Sequence, residues 1–146
     1  MATPFESAQL ILNLYDLRRE DTLRKARDFF FGFNPATPEE FMAAMYGPHS
    51  GMIRMVISYW DMAGSFVANG AIDSKMFYDA NGEFIAVFAK IEPILPGIRA
   101  AFGNPGFAAN LEALALGMPD ARAKLDNMVA RMKTYAAARE AAAKQA

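Results

Sequence analysis

Polar side chains recur along one otherwise apolar segment, and they are the first candidates for chemistry in this sequence. Residues 50–69 (SGMIRMVISYWDMAGSFVAN) carry four of them at spacings of 4, 3 and 4, namely Arg54, Ser58, Asp61 and Ser65. On a helix this spacing places all four on one face. A guanidinium and a carboxylate on one face could grip a small charged ligand. They could also form an ion network between helices, or a stripe that faces solvent.

Arg54 and Asp61 are two helical turns apart, so they do not pair easily without a third group between them. If this face is buried, both charges need partners from elsewhere, because an unpaired buried charge is prohibitively costly. Charged side chains that could serve are Arg18, Arg19, Glu20, Glu92 and Arg99. The sequence therefore predicts a polar ligand-binding set made of Arg54, Ser58, Asp61, Glu92 and Arg99.

Catalytic and metal constellations are missing from the sequence. The chain has no cysteine and one histidine, which excludes disulfides, thiolate metal sites and any site that needs two imidazoles. His49 precedes Ser50, but adjacency does not create the geometry of a base and a nucleophile, and no G-x-S-x-G elbow is present. We predict no catalytic residue, no metal and no cofactor. These exclusions leave open an enzyme that uses only acidic residues and arginines, such as a lyase or an isomerase.

Apolar side chains in two segments exceed what one helix face can bury. Residues 29–33 (FFFGF) hold four phenylalanines, so some must pack on another helix, a ligand or another chain. The last helical segment repeats apolar residues at alternating spacings of 4 and 3, which is the pattern of a helix-pairing seam. From these two segments we predict an interface made of Phe29, Phe31, Phe33, Met128, Met132 and Tyr135. Ten methionines also suit an adaptable apolar pocket, or a loosely tailored core.

The elements that must position these side chains are helical. Thr3-Pro4-Phe5-Glu6 and Thr37-Pro38-Glu39-Glu40 have the form of capping boxes, and Gly47-Pro48, Asn69-Gly70 and Gly117 are typical helix ends. No segment alternates with the period of a strand. The helices are predicted over 4–31 (with a bend or a polar contact at 18–21), 38–46, 50–69, 73–80, 83–102 (with a break at Pro93–Pro96), 105–116 and 119–143.

The predicted architecture is an all-α single-domain helical bundle of about six to seven helices. Its centre is the apolar helix 50–69, and residues 1–146 form one domain with an Ala-rich tail, 136–146, that frays at its end. A length of 146 residues fits one domain. A net charge of -1 argues against nucleic-acid binding. The start of the chain lacks a basic secretion signal, so we predict a cytoplasmic protein.

Short motifs between residues 59 and 99 resemble those of a known kind of protein. They are Tyr59-Trp60, the turn Gly70-Ala71-Ile72-Asp73, and the elements Pro93-Ile94 and Ile98-Arg99. Together they resemble a small, uncharacterised bacterial family of all-helical domains of unknown function. The resemblance implies an all-helical bacterial protein and implies no activity.

The functional expectation is a non-enzymatic helical interaction or scaffolding domain, which self-associates or docks on a larger partner protein. One alternative is a small-molecule binder with an apolar Met/Phe cavity and an Arg/Asp polar end. A second alternative is a membrane-associated accessory subunit, suggested by the apolar helix 50–69 and the basic last helix. Membrane contact is disfavoured, because Arg54 and Asp61 interrupt that apolar helix near its middle.

Overall fold

The computed structural model describes residues 1–146, which form helices joined by short loops, with no strand. The prediction of an all-α fold is confirmed. There are nine α-helices and one short 3-10 turn. In chain order the elements are α1 (Pro4–Arg18), α2 (Asp21–Phe31), α3 (Pro38–Met45), α4 (Ser50–Ala68), α5 (Ser74–Ala80), α6 (Glu83–Ile91), the 3-10 turn (Glu92–Ile94), α7 (Leu95–Phe102), α8 (Ala109–Leu116) and α9 (Ala121–Gln145).

The count exceeds the six to seven predicted helices because two predicted segments are each divided in two. Within the segment 4–31, the first helix ends at Arg18. Glu20 then has an extended backbone conformation and immediately precedes the second helix. The Glu20 carboxylate accepts hydrogen bonds from the backbone N–H groups of Thr22 and Leu23, both at 2.9 Å. That side chain is therefore an N-cap. The segment 83–102 is divided by the 3-10 turn at the predicted proline break.

Side-chain caps mark three helix starts that the sequence predicts. Thr3 and Glu6 form a reciprocal capping box at α1, with distances of 2.8 and 3.1 Å. Thr37 caps α3 through the N–H of Glu40, and Asp73 caps α5 through the N–H of Met76. Two starts were predicted too early, because α8 begins at Ala109 and α9 at Ala121.

Helix α4 lies at the centre of the fold and packs mainly against α2 and α8. Its buried face is formed by Ile53, Val56, Ile57, Tyr59, Trp60, Ala63 and Gly64. The helix is not enclosed on all sides, since Arg54 and Ser58 are exposed. Neither α4 nor any other helix combines the length and the apolar character needed to cross a membrane.

Helix α9 stands at the edge of the bundle and packs mainly on α6. Only Leu125 of its 25 residues is fully buried. Met128, Val129 and Met132 are partly buried against the core, and every residue from 133 onward is exposed. The helix continues to Gln145 through the predicted Ala-rich tail. Its second half therefore lies on the surface of the bundle, with one side facing α2 and α6.

Candidate functional site

The polar stripe of α4 is divided between solvent and a structural contact. Arg54 and Ser58 are exposed, and the Ser58 hydroxyl donates to a carbonyl of its own helix. Asp61 is half-buried, and its carboxylate accepts from the backbone N–H of Leu111 at 2.9 Å and from the Asn110 amide at 3.3 Å. Helix α8 has no side-chain cap of its own. Asp61 therefore caps α8 from the neighbouring helix.

The remaining two residues of the predicted ligand-binding set make separate contacts. Glu92 forms a bidentate pair with Arg122 of α9, at 2.8 and 2.9 Å. Arg99 donates to the Phe107 carbonyl at 2.9 Å and pairs with Glu112 at 3.1 Å. No hydrogen bond or ion pair joins any two of Arg54, Ser58, Asp61, Glu92 and Arg99. The paired side chains, Asp61, Glu92 and Arg99, each connect one element of the fold to another.

A groove on a different surface brings most of the predicted interface residues together. It runs between the end of α2 with its following loop, helix α6 and helix α9, and it encloses about 920 Å³. Its lining consists of Phe31, Gly32, Asn34, Pro35, Ala86, Ala89, Lys90, Pro93, Met128, Val129, Arg131, Met132, Lys133, Tyr135, Ala136 and Arg139. We call this surface the α2–α9 groove. It contains Phe31, Met128, Met132 and Tyr135 of the predicted interface.

The two aromatic side chains of this set bridge the walls of the groove. The rings of Phe31 and Tyr135 meet edge to face, with centroids 5.1 Å apart and planes at 86°. This is a favourable arrangement, because the positive edge of one ring meets the negative face of the other. Both side chains are half-exposed, at 49% for Phe31 and 51% for Tyr135. The pair joins the end of α2 to α9 and leaves apolar surface facing the groove.

The other two phenylalanines of the predicted interface pack inside the bundle. Phe29 stacks on His49 at 4.4 Å, and Phe33 meets Phe30 and Phe41 at 5.8 and 6.0 Å. Phe29 and Phe33 are partly buried against the core. The FFFGF segment is thus shared between the core and the groove, and Phe31 is its contribution to the groove.

The charges of the groove are all of one sign. Its lining includes four cations, Lys90, Arg131, Lys133 and Arg139, and no acidic residue. Arg131, Lys133 and Arg139 have no carboxylate within ion-pair distance. The Arg139 guanidinium lies 5.9 Å from the ring centroids of both Phe31 and Tyr135. The groove therefore presents an apolar floor together with unneutralised positive charge.

Lys90 differs from the other three cations because its ammonium is already occupied. It donates to the carbonyls of Phe30, Phe31 and Phe33 at 2.9, 2.8 and 3.0 Å, and to the Asn34 side-chain oxygen at 3.1 Å. Burial lowers the pKa of Lys90 to about 8, which leaves it mainly protonated at pH 7. It thus neutralises the C-terminal end of α2. In the sequence, Lys90 is distinguished only as the single cation of the apolar segment EFIAVFAKI.

We expect Lys90→Met to destabilise the protein by about 1–2 kcal/mol, because carbonyl groups at the end of α2 lose their donor. Urea unfolding followed by circular dichroism measures the change. Lys133→Met is the matched control, since Lys133 lines the same groove but is exposed and unpaired. We expect that control to stay within about 0.5 kcal/mol of the wild type. Equal effects of the two substitutions would show that Lys90 is not a structural cap.

A second charged cluster lies where α1, α2 and α6 meet. Glu83 accepts from Arg27 at 2.6 to 3.1 Å and from Arg18 at 3.2 Å. The Arg18 guanidinium also lies 5.3 Å from the centre of the buried Trp60 ring. Burial alone would raise the pKa of Glu83, but the hydrogen bonds and charge of Arg27, with the charge of Arg18, outweigh burial and lower it. One carboxylate is shared by two guanidinium groups, which is typical of a structural ion network.

The fold and the groove define a small all-helical domain with an uncovered, positively charged apolar groove. The chain matches the model of the family described as Domain of unknown function (DUF4760) over residues 4–118. This match covers more than three quarters of the chain, so the protein belongs to that family, in agreement with the resemblance of residues 59–99. No curated protein and no solved structure matches the chain.

The family match divides the groove. Helices α2 and α6 lie inside the matched residues, whereas α9 begins at Ala121, beyond residue 118. One wall of the groove thus belongs to the region that the family model describes. The other wall, which carries Arg131, Lys133 and Arg139, lies outside that region.

Proposed function

We propose that this protein is a non-enzymatic interaction domain, which docks a helical segment of another protein in the α2–α9 groove. The observation that carries the proposal is the uncovered apolar floor beside the two half-exposed rings of Phe31 and Tyr135. Met128 and Met132 form much of that floor, and flexible thioether side chains suit surfaces that repack around a partner. An apolar surface of this kind, rimmed by polar residues, is typical of interaction sites.

The dimensions of the groove fit a docked helix. Its α9 wall runs from Met128 to Arg139, which spans roughly 16 Å at 1.5 Å per residue. This length corresponds to about three turns of a partner helix. The groove-facing stripe Met128, Met132, Tyr135 and Arg139 has spacings of 4, 3 and 4, the pattern by which one helix packs along another. Helix-in-groove docking uses such anchor positions.

Electrostatics favour a different protein over a second copy of this chain as the occupant. A two-fold symmetric dimer through the groove would bring together two copies of the same positively charged surface. The unpaired cations Arg131, Lys133 and Arg139 of each copy would then lie close to those of the other, which opposes association. We therefore propose a heterologous partner as the occupant of this groove. We also propose the bacterial cytoplasm as the compartment in which the domain acts, in keeping with a chain that has no cysteine.

The test uses a designed helical peptide with leucines along one face and glutamines beside them. We expect it to shift the methyl NMR signals of Met128 and Met132 in protein labelled at methionine methyl groups. Met132→Lys should remove binding, because it places a charge in the apolar floor. Met62→Lys is the control, since Met62 is an exposed methionine on α4 outside the groove. Unchanged Met128 and Met132 signals in the presence of the peptide would refute docking in this groove.

The volume of the groove supports a second candidate function, the binding of an amphipathic small molecule. A space of about 920 Å³ lies within the usual range for ligand sites, roughly 300–1,000 Å³. A long-chain carboxylate would place its apolar tail on the floor and its anionic head near Arg139. Native mass spectrometry of the freshly purified protein would then show extra non-covalent mass that disappears on denaturation. A monomer of the bare chain mass would count against this candidate.

A further inference from the structure

We infer that Arg139 selects the partner, because its guanidinium is placed to receive a carboxylate from an acidic amphipathic helix docked in the α2–α9 groove. This inference rests on the proposed docking function and adds the chemical class of the occupant. The occupant is a helix of another protein with an apolar stripe and glutamate or aspartate beside it.

The placement of Arg139 is the first argument. The residue ends the groove-facing stripe of α9, one turn beyond Tyr135. Its guanidinium lies near the rings of Phe31 and Tyr135, at 5.9 Å from each centroid, and those rings contact each other. Contact with two ring systems restricts the guanidinium, so less conformational freedom remains to be lost on binding. An arginine held in this way is suited to a bidentate hydrogen bond with a carboxylate.

The absence of an internal partner is the second argument. Arg139 forms no ion pair, whereas five other cations of this chain pair with one or more carboxylates, namely Arg18, Arg27, Lys75, Arg99 and Arg122. A sixth cation, Lys144, pairs with Glu140 beside Arg139 on the same helix and leaves Arg139 unpaired. Acceptors for its N–H groups must therefore come from water or from a partner.

The third argument is the position of the flanking charges. Arg131 and Lys133 lie on either side of Met132 in the sequence and line the same groove. A helix that packs its apolar stripe against Met128, Met132 and Tyr135 brings its own flanking residues close to those two cations, as in paired helices. Acidic residues at these flanks are attracted, and basic residues there are repelled. The groove thus discriminates by charge on both sides of its apolar floor.

The experiment compares three designed helical peptides that share one leucine stripe and differ in their flanking residues, which are glutamate, glutamine or lysine. Labelled peptides are titrated with the full chain by fluorescence anisotropy, at concentrations where each peptide is monomeric. We expect the glutamate peptide to bind about tenfold more tightly than the glutamine peptide, with the lysine peptide weakest. Added salt should weaken the glutamate peptide most.

Variants of the protein locate the effect. Arg139→Gln should remove most of the roughly tenfold preference for the glutamate peptide and leave the affinity of the glutamine peptide unchanged. Arg139→Lys should recover part of the loss, because it restores the charge without the planar fork. Lys144→Gln is the matched control, an exposed cation on the same helix outside the groove, and should change neither affinity.

The outcomes separate this inference from the function on which it rests. Equal affinities for the glutamate and glutamine peptides, with shifted Met128 and Met132 signals, would overturn acidic selection and leave docking intact. Failure of all three peptides to bind would overturn the docking function itself. A preference for glutamate that Arg139→Gln leaves undiminished would reject Arg139 as the selecting residue.

Discussion

Replacement of Gly64 by alanine is expected to destabilise the protein by about 3 kcal/mol, although one methyl group is the only change. A Cβ atom at this position would lie 2.5 Å from the carbonyl oxygen of Asn110 and 2.9 Å from its carbonyl carbon. These are backbone atoms of α8, so no side-chain rotation can relieve the clash. Helices α4 and α8 would have to move apart along their most extensive contact.

The position of Asp61 increases this expected loss. It precedes Gly64 by three residues, on the same part of α4, and its carboxylate holds the backbone N–H of Leu111 at 2.9 Å. A displacement of α8 by the new methyl group would lengthen that hydrogen bond and leave the start of α8 without its cap. Loss of packing and loss of the cap would therefore occur together.

Urea unfolding monitored by circular dichroism measures this effect, and Gly51→Ala provides the matched control. Gly51 lies in the same helix, is exposed, and has no atom within 4 Å of the position of a Cβ. Alanine there is expected to stabilise by up to about 1 kcal/mol, because glycine is a poor helix former. If Gly64→Ala also stabilised the protein, the close approach of α4 and α8 would be contradicted.

The helix starts that could be predicted from the sequence depend on short-range interactions. Thr3 and Thr37 cap helices through residues three positions away, so the pattern and the contact lie in the same few residues. The division at Glu20 is also local, but a carboxylate within a charged run gives the same pattern as an exposed helical turn. The sequence therefore indicated a bend there without indicating a second helix.

The candidate site was predictable only in part, because its walls come from separate elements. The apolar residues Phe31, Met128, Met132 and Tyr135 were predicted from local crowding and from the helical seam. Arg139 lies four residues beyond Tyr135, the last residue of that seam. Its proximity to Phe31, however, depends on how α9 packs beside the end of α2. The placement of Asp61 against α8 likewise depends on tertiary packing that spacing along α4 does not show.

Glu83→Gln is the second substitution with a large expected effect, about 2–4 kcal/mol of lost stability at pH 7. The neutral amide leaves Arg18 and Arg27 without their carboxylate in a setting where all three side chains are largely buried. Glu92→Gln is the matched control, because this carboxylate is about as buried as that of Glu83 but has an exposed partner. Its partner Arg122 is 58% exposed, so we expect a cost below about 1 kcal/mol. Urea unfolding at pH 7 compares the two variants.

The pH dependence of this difference distinguishes charge from packing. The pKa of Glu83 is lower in the folded protein than in the unfolded chain, where a glutamate titrates at about 4.3. Between these two pKa values the unfolded state therefore binds more protons than the folded state. The contribution of Glu83 to stability is complete above the pKa of the unfolded chain. It is lost as the pH falls through the pKa of the folded protein. The stabilities of the wild type and Glu83→Gln should accordingly converge at acidic pH. The free energy of unfolding of the variant should depend less steeply on pH. A constant difference across the whole titration would mean that Glu83 stabilises the junction of α1, α2 and α6 by its shape and not by its charge.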